Sequence, residues 1–424
     1  MMNRRTFLGT AAAGALAAPS VLTGADDRKI KLGVIGCGGY GMSDINAAFK
    51  VGGVEVLAIC DVDAQHLEET AAKLEKLQGT RPKLFKQYEQ LLETPGLEAV
   101  IIATPPHWHA LPFIAALERK LDIYCEKPLA YDVREGRAMV DAAKKRKAQV
   151  IQIGFQRRQS QAIQAAKQYI DEGKAGKIIA VEAQIHYTAG LRDTVVQDPP
   201  ASLDWDLWCG PAPKLPYCPQ IGHVAWRLEK EYGNGHLVDW GIHLVDATRM
   251  VLGETVPRTL QATGGIYYHK GKITTPDILT AHFEFARCPV TWRHHIWGAA
   301  EYAPEVENGI FFFGEQETVF ATDAKWIVVS KDKKAERKVN EVKTDMGLKH
   351  MANFLESVRS RQAPVCQPED AYHSAATVQL AMVSYQAGAR ITWDAATEQV
   401  LNNPAAAALV KREYRAPYRH PWRG

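Results

Sequence analysis

The chain has 424 residues, 46% of them hydrophobic and 23% charged, with 51 Lys and Arg against 48 Asp and Glu. This is ordinary globular usage, which excludes a disordered or fibrous class, and a chain of this length is expected to divide into two domains. A formal charge of +3, part of it carried by Arg4 and Arg5, gives no electrostatic case for nucleic acid as a partner.

Residues 1–25 join a charged start to an alanine-rich apolar run, FLGTAAAGALAAPSVL, followed by small residues. The run is too short and too rich in Ala and Gly to span a bilayer, so it reads as a signal peptide, and no later stretch is apolar enough for a membrane span. Arg4-Arg5 followed by Thr6-Phe7-Leu8 resembles the twin-arginine export consensus, with Asn3 and Gly9 as departures. That resemblance implies export of the folded protein to the periplasm by the twin-arginine machinery.

From residue 29 to 156 strand-like and helix-like segments alternate: KLGVIG, GMSDINAAFK, VEVLAICD, AQHLEETAAKLEKL, then further pairs ending in VIQIGFQ. The strand pieces are continuous apolar runs without polar alternation, as expected where helices cover both faces of a parallel sheet. Residues 26–156 are therefore predicted to form a doubly wound, Rossmann-type α/β domain. The basic run Lys144 to Lys147 follows a helix-like stretch and reads as a solvated helix C-terminus.

After the helix AIQAAKQYIDEG, strands follow one another: KIIAVEAQIHY, TLQATGGIYYH, ILTAHFEFA, VTWRHHIW, GIFFFGEQETVFAT and KWIVVS. Such succession predicts a second domain over 157–390 with a large, open, mostly antiparallel sheet. Within it, residues 195–232 are rich in Pro and Trp and read as loop. Residues 391–424 read as an arm wrapping the body or a neighbouring subunit. The seven cysteines form no CxxC pair. Cys37, Cys60 and Cys125 fall at strand ends where buried thiols are common, and a Cys209–Cys218 pairing is left open.

Gly36, Gly38 and Gly41 form GxGxxG between the first strand and the first helix, with Gly39 and Tyr40 inside it, and a second strand ends in Asp61. In that context the glycines let the backbone approach a pyrophosphate at a helix N-terminus. Asp61 accepts hydrogen bonds from the adenosine ribose and repels a 2′-phosphate, which favours NAD over NADP. The stretches ATPPHWH, with Thr104, Pro105 and His109, and CEKPLA, with Glu126 and Lys127, each end a predicted strand and so face the same crevice. In GNGHLVDWGIHLVD, Asp239 and His243 are four residues apart, one face of a helix, where a carboxylate orients an imidazole base. An N-terminal carboxylate and a packed histidine is the plainer reading of that spacing. Close histidine pairs do not make a metal site here: there is no HExxH or CxxC, and His294 and His295 point to opposite faces of a strand. No metal is expected, His186 and His243 being the pair from which one would be built.

In this order, GCGGYG, TPPHWH, EKPL, GFQRR and the Asp-x-x-x-His of 239–243 resemble the Gfo/Idh/MocA family of glucose-fructose oxidoreductases and inositol dehydrogenases, over about residues 29–390. The resemblance implies a Rossmann domain, then a mostly antiparallel sheet often used for homo-dimer or homo-tetramer contacts. It implies that Lys127 binds the substrate hydroxyl, that His243 takes its proton and that Asp239 orients His243. It places Tyr40, Thr104, Pro105, His109 and Glu126 near the cofactor and Arg157 beside the nicotinamide. His186, Trp226, Arg227 and Tyr232 are candidate substrate contacts, and with Trp205 and Trp208 the loop aromatics suit a sugar ring or a core equally.

Export and a soluble cofactor are compatible when NAD travels tightly bound and the reaction closes its own redox cycle. One such reaction passes hydride between NAD and the hydroxyl of a sugar, cyclitol or glycoside. A second is glycoside hydrolysis through transient C3 oxidation, elimination and hydration. A non-catalytic NAD-binding or sugar-binding scaffold is a third. The dehydrogenase-like Asp239 and His243 favour the first.

Overall fold

The computed structural model describes residues 28–298 and 303–424. The signal-like residues 1–25 lie outside the described residues.

The first domain runs β1 (Ile30–Ile35), α1 (Gly39–Val51), β2 (Val54–Cys60), α2 (Ala64–Gln78), β3 (Lys83–Phe85), α3 (Tyr88–Leu92), β4 (Ala99–Ile102), α4 (Ala110–Glu118), β5 (Asp122–Glu126), α5 (Val133–Lys144) and β6 (Ile151–Gly154). All six strands are parallel, in the order β3-β2-β1-β4-β5-β6. Every residue of β4, β5 and β6 is buried, which is why those strands lack polar alternation. The strand order reverses between β1 and β4, the switch point where such sheets open a crevice at the strands' C-terminal ends.

The helix starts differ in a way that matters for that crevice. Asp63 and Asp132 cap α2 and α5, their side chains accepting from the N–H of Gln65 and Glu135. No side chain caps α1 and no acidic residue lies in its first turn, so its N-terminal dipole is left for something else. Two glycines hold the turn before it. Gly36 has φ +94°, and a Cβ there would sit 2.8 Å from the Ala103 carbonyl; a Cβ on Gly41 would sit 2.0 Å from the Gly36 oxygen.

The second domain runs α6 (Gln161–Asp171), β7 (Ile178–Ile185), α7 (Trp205–Cys209), α8 (Ile242–Leu252), β8 (Thr259–Gly265), β9 (Ile278–Glu284), β10 (Pro289–His295), β11 (Asn308–Gly314), β12 (Glu317–Ala321), β13 (Lys325–Ser330) and β14 (Lys338–Glu341). Then come α9 (Met346–Ser360), α10 (Pro368–Ala387), β15 (Ile391–Asp394), β16 (Gln399–Val400) and α11 (Pro404–Ala408). Ten strands form one sheet in the order β14-β13-β12-β11-β7-β10-β9-β8-β15-β16. The β7–β10 pair is parallel and the other pairs are antiparallel. Alternate residues of β9 and β10 are buried, and that face packs on α6, α8 and α10 in a core continuous with the first domain.

The architecture departs from the sequence reading in three places and answers one question left open, that of the cysteines. GIFFFGEQETVFAT is a hairpin of β11 and β12 rather than one strand; its turn at Glu315 and Gln316 carries no Pro or Asn, and the one cue, Gly314, is there because a Cβ would sit 2.2 Å from the Ala175 oxygen. Residues 391–394 extend the sheet by pairing with β8 before the arm begins. Helix α9 belongs by packing to the first domain, where Met351, Phe354, Leu355 and Val358 join Ile45, Ala48 and Val54. All seven cysteines are free, so Cys209 and Cys218 do not pair; the Cys209 thiol instead lies 3.2 Å from the Tyr232 hydroxyl.

Candidate active site

A cavity of about 1580 Å³ follows the C-terminal ends of the parallel strands. Its wall runs from Lys86–Glu89 after β3, past Asp61 after β2, Gly36 and Gly38–Tyr40 after β1, and Thr104 and Pro105 after β4, to Glu126 and Lys127 after β5 and Arg157 after β6. The cavity therefore crosses the whole switch point, a length that suits a dinucleotide lying across the strand ends.

The residues at its middle fit that group. A Cβ on Gly39 would meet nothing within 4 Å, and one on Gly38 nothing nearer than His66 at 3.9 Å, so this face of the turn is open to the uncapped start of α1. The Asp61 carboxylate accepts from the N–H of Cys37 at 2.6 Å and of Asp63 at 2.9 Å. Each oxygen keeps a lone pair for a ribose hydroxyl. Burial pushes the Asp61 carboxyl up, and the two backbone donors, Asp63 first, pull it back.

At the β5–β6 end the polar groups converge. The Lys127 ammonium donates to the Asp239 carbonyl oxygen at 2.6 Å and to its Oδ1 at 2.9 Å. The Arg227 guanidinium holds the other carboxylate oxygen at 3.0 Å and lies over the Trp226 ring, 4.5 Å from its centre. One buried carboxylate thus bridges two cations. Beneath them the Glu126 carboxyl is pushed up to about 7, chiefly by burial, while Lys127 and the Gln156 amide, which donates at 2.7 Å, pull it down. A side chain at Gly154 would collide with Glu126, its Cβ only 2.4 Å from Oε1, so glycine there makes room for that carboxyl.

The expected Asp239–His243 pairing is not formed. Residues Leu237–Gly241 make a single π-helical turn, and α8 begins only at Ile242. In the wider turn a residue no longer stands beneath the one four positions on. The Asp239 carboxylate is committed to Lys127 and Arg227 instead. His243 lies in the cavity wall, its buried Nδ1 without a hydrogen-bond partner among the described residues, and Phe155 and Trp240 flank its ring. Burial first, then the charges of Lys127 and Arg157, hold its pKa well below the ordinary imidazole value, so the ring is neutral.

Three residues expected at the cofactor or substrate lie behind the wall. His109 is fully buried, with its ring nitrogens 2.8 Å from the carbonyls of Thr104 and Pro128, where it ties the two wall loops together. His186 accepts from the His295 N–H and stacks on that ring, so the sheet and not the cavity uses it. Tyr232 is fully buried with Trp205 and Trp208 in the core of the 203–232 loop, its hydroxyl donating to Pro213. Gly41 likewise serves the approach of α1 to the turn rather than the cavity surface. Arg157 lines the cavity, its charge paired with Asp323 at 2.8 Å.

Sequence reasoning missed several wall residues. Gln156 stood inside the quoted GFQRR and was readable. His66 comes from the first turn of α2, and His223, Tyr187, Asp323 and Tyr418 from loops, none of them with a motif. Among the described residues, two groups hold three ligand-type side chains close together, Asp63–His66–His223 and Asp132–Glu135–His420, and neither contains His186 or His243.

A doubly wound dinucleotide domain with a lysine at the end of β5, closed over by an antiparallel sheet domain, defines a two-domain nicotinamide oxidoreductase architecture. Three family profiles match in succession: an oxidoreductase-family NAD-binding Rossmann fold over 30–155, a GFO/IDH/MocA C-terminal domain over 163–319, and an oxidoreductase-family C-terminal alpha/beta domain over 328–420. The chain belongs to the Gfo/Idh/MocA oxidoreductase family, and its first domain is an NAD-binding Rossmann domain.

Among curated relatives, levoglucosan dehydrogenase of Pseudarthrobacter phenanthrenivorans is 34% identical over 168 residues, 39% of this chain and 36% of that protein. Inositol 2-dehydrogenase of Salmonella typhimurium is 33% identical over 161 residues, 38% of this chain and 46% of that protein. The chain thus spans less than half the length of these relatives in the matched region. Among solved structures, an oxidoreductase of Thermotoga maritima superimposes with TM-score 0.68 at 21% identity, covering 86% of this chain and 98% of that one. A levoglucosan dehydrogenase in complex with NADH and levoglucosan gives TM-score 0.68 at 19% identity, covering 86% and 99%.

Proposed function

We propose that the protein is an NAD-dependent oxidoreductase acting on a hydroxyl of a sugar, cyclitol or glycoside. The observation that carries this reading is the placement of Lys127, Asp239 and the neutral His243 around one end of a cavity whose middle fits a dinucleotide. The relatives' names, levoglucosan dehydrogenase and inositol 2-dehydrogenase, support the substrate class.

Bound NAD supplies the acceptor for the hydride of the alcohol carbon. The chain's residues handle the oxygen and its proton. An ammonium has three N–H donors; Lys127 spends two on Asp239, which leaves the third for the substrate oxygen. Two cations against one carboxylate leave a net positive charge beside that oxygen, and the charge is most effective as alkoxide character develops. His243, neutral and in the cavity wall at the same end, receives the hydroxyl proton. Asp239 fixes the Lys127 ammonium, a positioning role in place of the expected one of orienting His243.

The test is to mix the purified, NAD-loaded protein with a panel of sugars, cyclitols and aryl glycosides and follow formation of reduced nicotinamide. Accumulation up to one equivalent supports the reading; aglycone release over many turnovers without net reduction contradicts it. We propose further that residues 1–25 direct export by the twin-arginine route. A reporter fused to residues 1–30 is expected to leave the cytoplasm, and Arg4→Lys with Arg5→Lys is expected to retain it there.

A further inference from the structure

The C-terminal arm closes back on its own chain, and it does so at the NAD cavity. Arg412 is half-buried, donating to the Glu135 carboxylate at 3.0 Å and to the His107 carbonyl at 3.1 Å. It pins the arm to the start of α5 and to the loop after β4, both elements of the cavity wall or directly behind it. Three residues on, Arg415 grips the other side: it donates to the Asp206 carboxylate at 2.8 Å, to the Asp206 carbonyl at 2.8 Å and to the Gly210 carbonyl at 3.0 Å. Asp206 lies on α7, in the loop that the second domain extends over the first. The arm thereby ties the overlying loop to the dinucleotide domain.

Between and beyond these anchors the arm reaches the cavity itself. Pro417 and Tyr418 line it beside Tyr88 and Trp108. Tyr418 sets its ring edge-on to Trp108 with centres 5.3 Å apart, and Trp108 does the same to Tyr88 at 6.0 Å. Tyr88 follows β3, the strand beyond β2 and Asp61 and farthest from Lys127 in the sheet order. With a ribose at Asp61, the base of the dinucleotide lies at this aromatic end.

We propose that the arm completes the adenine end of the NAD site, Tyr418 forming its outer wall, and that the Arg412 and Arg415 anchors make it a latch that slows release of the cofactor. This rests on the NAD reading of the cavity. A latch of this kind acts on the dissociation rate more than on chemistry, because it lies at the end of the cavity remote from Lys127.

The test measures loss of bound NAD from the full-length holoprotein in a chase with excess labelled NAD. Arg415→Ala unties the loop without touching the cavity, and Tyr418→Ala removes the wall; Arg258→Ala, on an exposed ion pair with Glu284 at the start of β8, is the control. Arg415→Ala and Tyr418→Ala are each expected to release NAD about tenfold faster than the parent, with the control unchanged. NAD held by the parent and released by both variants within about twofold of its rate overturns the latch alone. A parent protein that binds no NAD overturns both the latch and the reading beneath it.

Discussion

Substituting the second glycine of the turn separates what the fold needs from what the cofactor needs. Gly38 has φ −67° and ψ −169°, a conformation open to any residue, and an added Cβ meets no protein atom nearer than 3.9 Å. Gly38→Ala is therefore expected to leave stability unchanged or raise it by about 0.4–1 kcal/mol, through loss of freedom in the unfolded chain. The same methyl group occupies the surface that a pyrophosphate must approach to reach the first N–H groups of α1. Losing a hydrogen bond to a charged group costs about 1.5–3 kcal/mol, which is about a tenfold to hundredfold weaker NAD affinity. Gly41→Ala makes the opposite case, since its Cβ would lie 2.0 Å from the Gly36 oxygen and the helix must shift. That variant is expected to melt well below the parent whether or not NAD is present. Thermal melts of the cofactor-free proteins, with calorimetric NAD titrations, measure both quantities. Parent-like NAD affinity in Gly38→Ala, or equal destabilisation by the two substitutions, would refute the assignment of this turn.

Lys127→Met removes the donor proposed for the substrate oxygen and is expected to lower kcat about 100- to 1000-fold while NAD remains bound; a kcat near the parent's removes Lys127 from the mechanism. Asp239→Asn leaves Lys127 and Arg227 without their shared anion, so it is expected to lower kcat with a smaller change in KM, and Asp239→Glu is expected to recover part of it. Asp61→Ala deletes the carboxylate proposed to hold the ribose, and the ratio of NAD to NADP affinity is expected to fall about tenfold or more, read by parallel titrations. His107 is buried against the Trp208 carbonyl, and burial holds its pKa down to about 3. A group depressed in the folded state stabilises above its unfolded pKa and loses that contribution as pH falls, by about 1.4 kcal/mol per unit. Between pH of about 6.5 and 5 the parent should therefore lose about 2 kcal/mol relative to His107→Gln in urea titrations, and a gap that widens in the other direction contradicts the assignment.

The parallel sheet was legible because full burial of β4, β5 and β6 writes itself as uninterrupted apolar residues, and the GxGxxG turn because backbone geometry at Gly36 and Gly41 tolerates nothing else. Lys127 and Asp61 were legible from their position at strand ends. What escaped was set by contacts distant in sequence. The π turn that carries Asp239 toward Lys127 and away from His243 has no signature in GNGHLVDWGIHLVD, because helical spacing presumes the ordinary pitch. Tyr232 and Trp226 are near neighbours in the same aromatic-rich loop, yet the first is core and the second faces the cavity; composition cannot separate them. Helix α9 returns to the first domain after β14 and the arm after β16, an arrangement that no local pattern encodes.

The central claim is that this chain moves a hydride between a sugar-type alcohol and NAD held in the cavity, with Lys127 at the oxygen. The most direct measurement supplies a substrate deuterated at the alcohol carbon to the NAD-loaded protein, denatures it after one turnover, and weighs the released cofactor alongside the carbonyl product. The account predicts one deuteron on the cofactor for each carbonyl formed, and neither with Lys127→Met. Substrate consumed with no deuterium on the cofactor would contradict it.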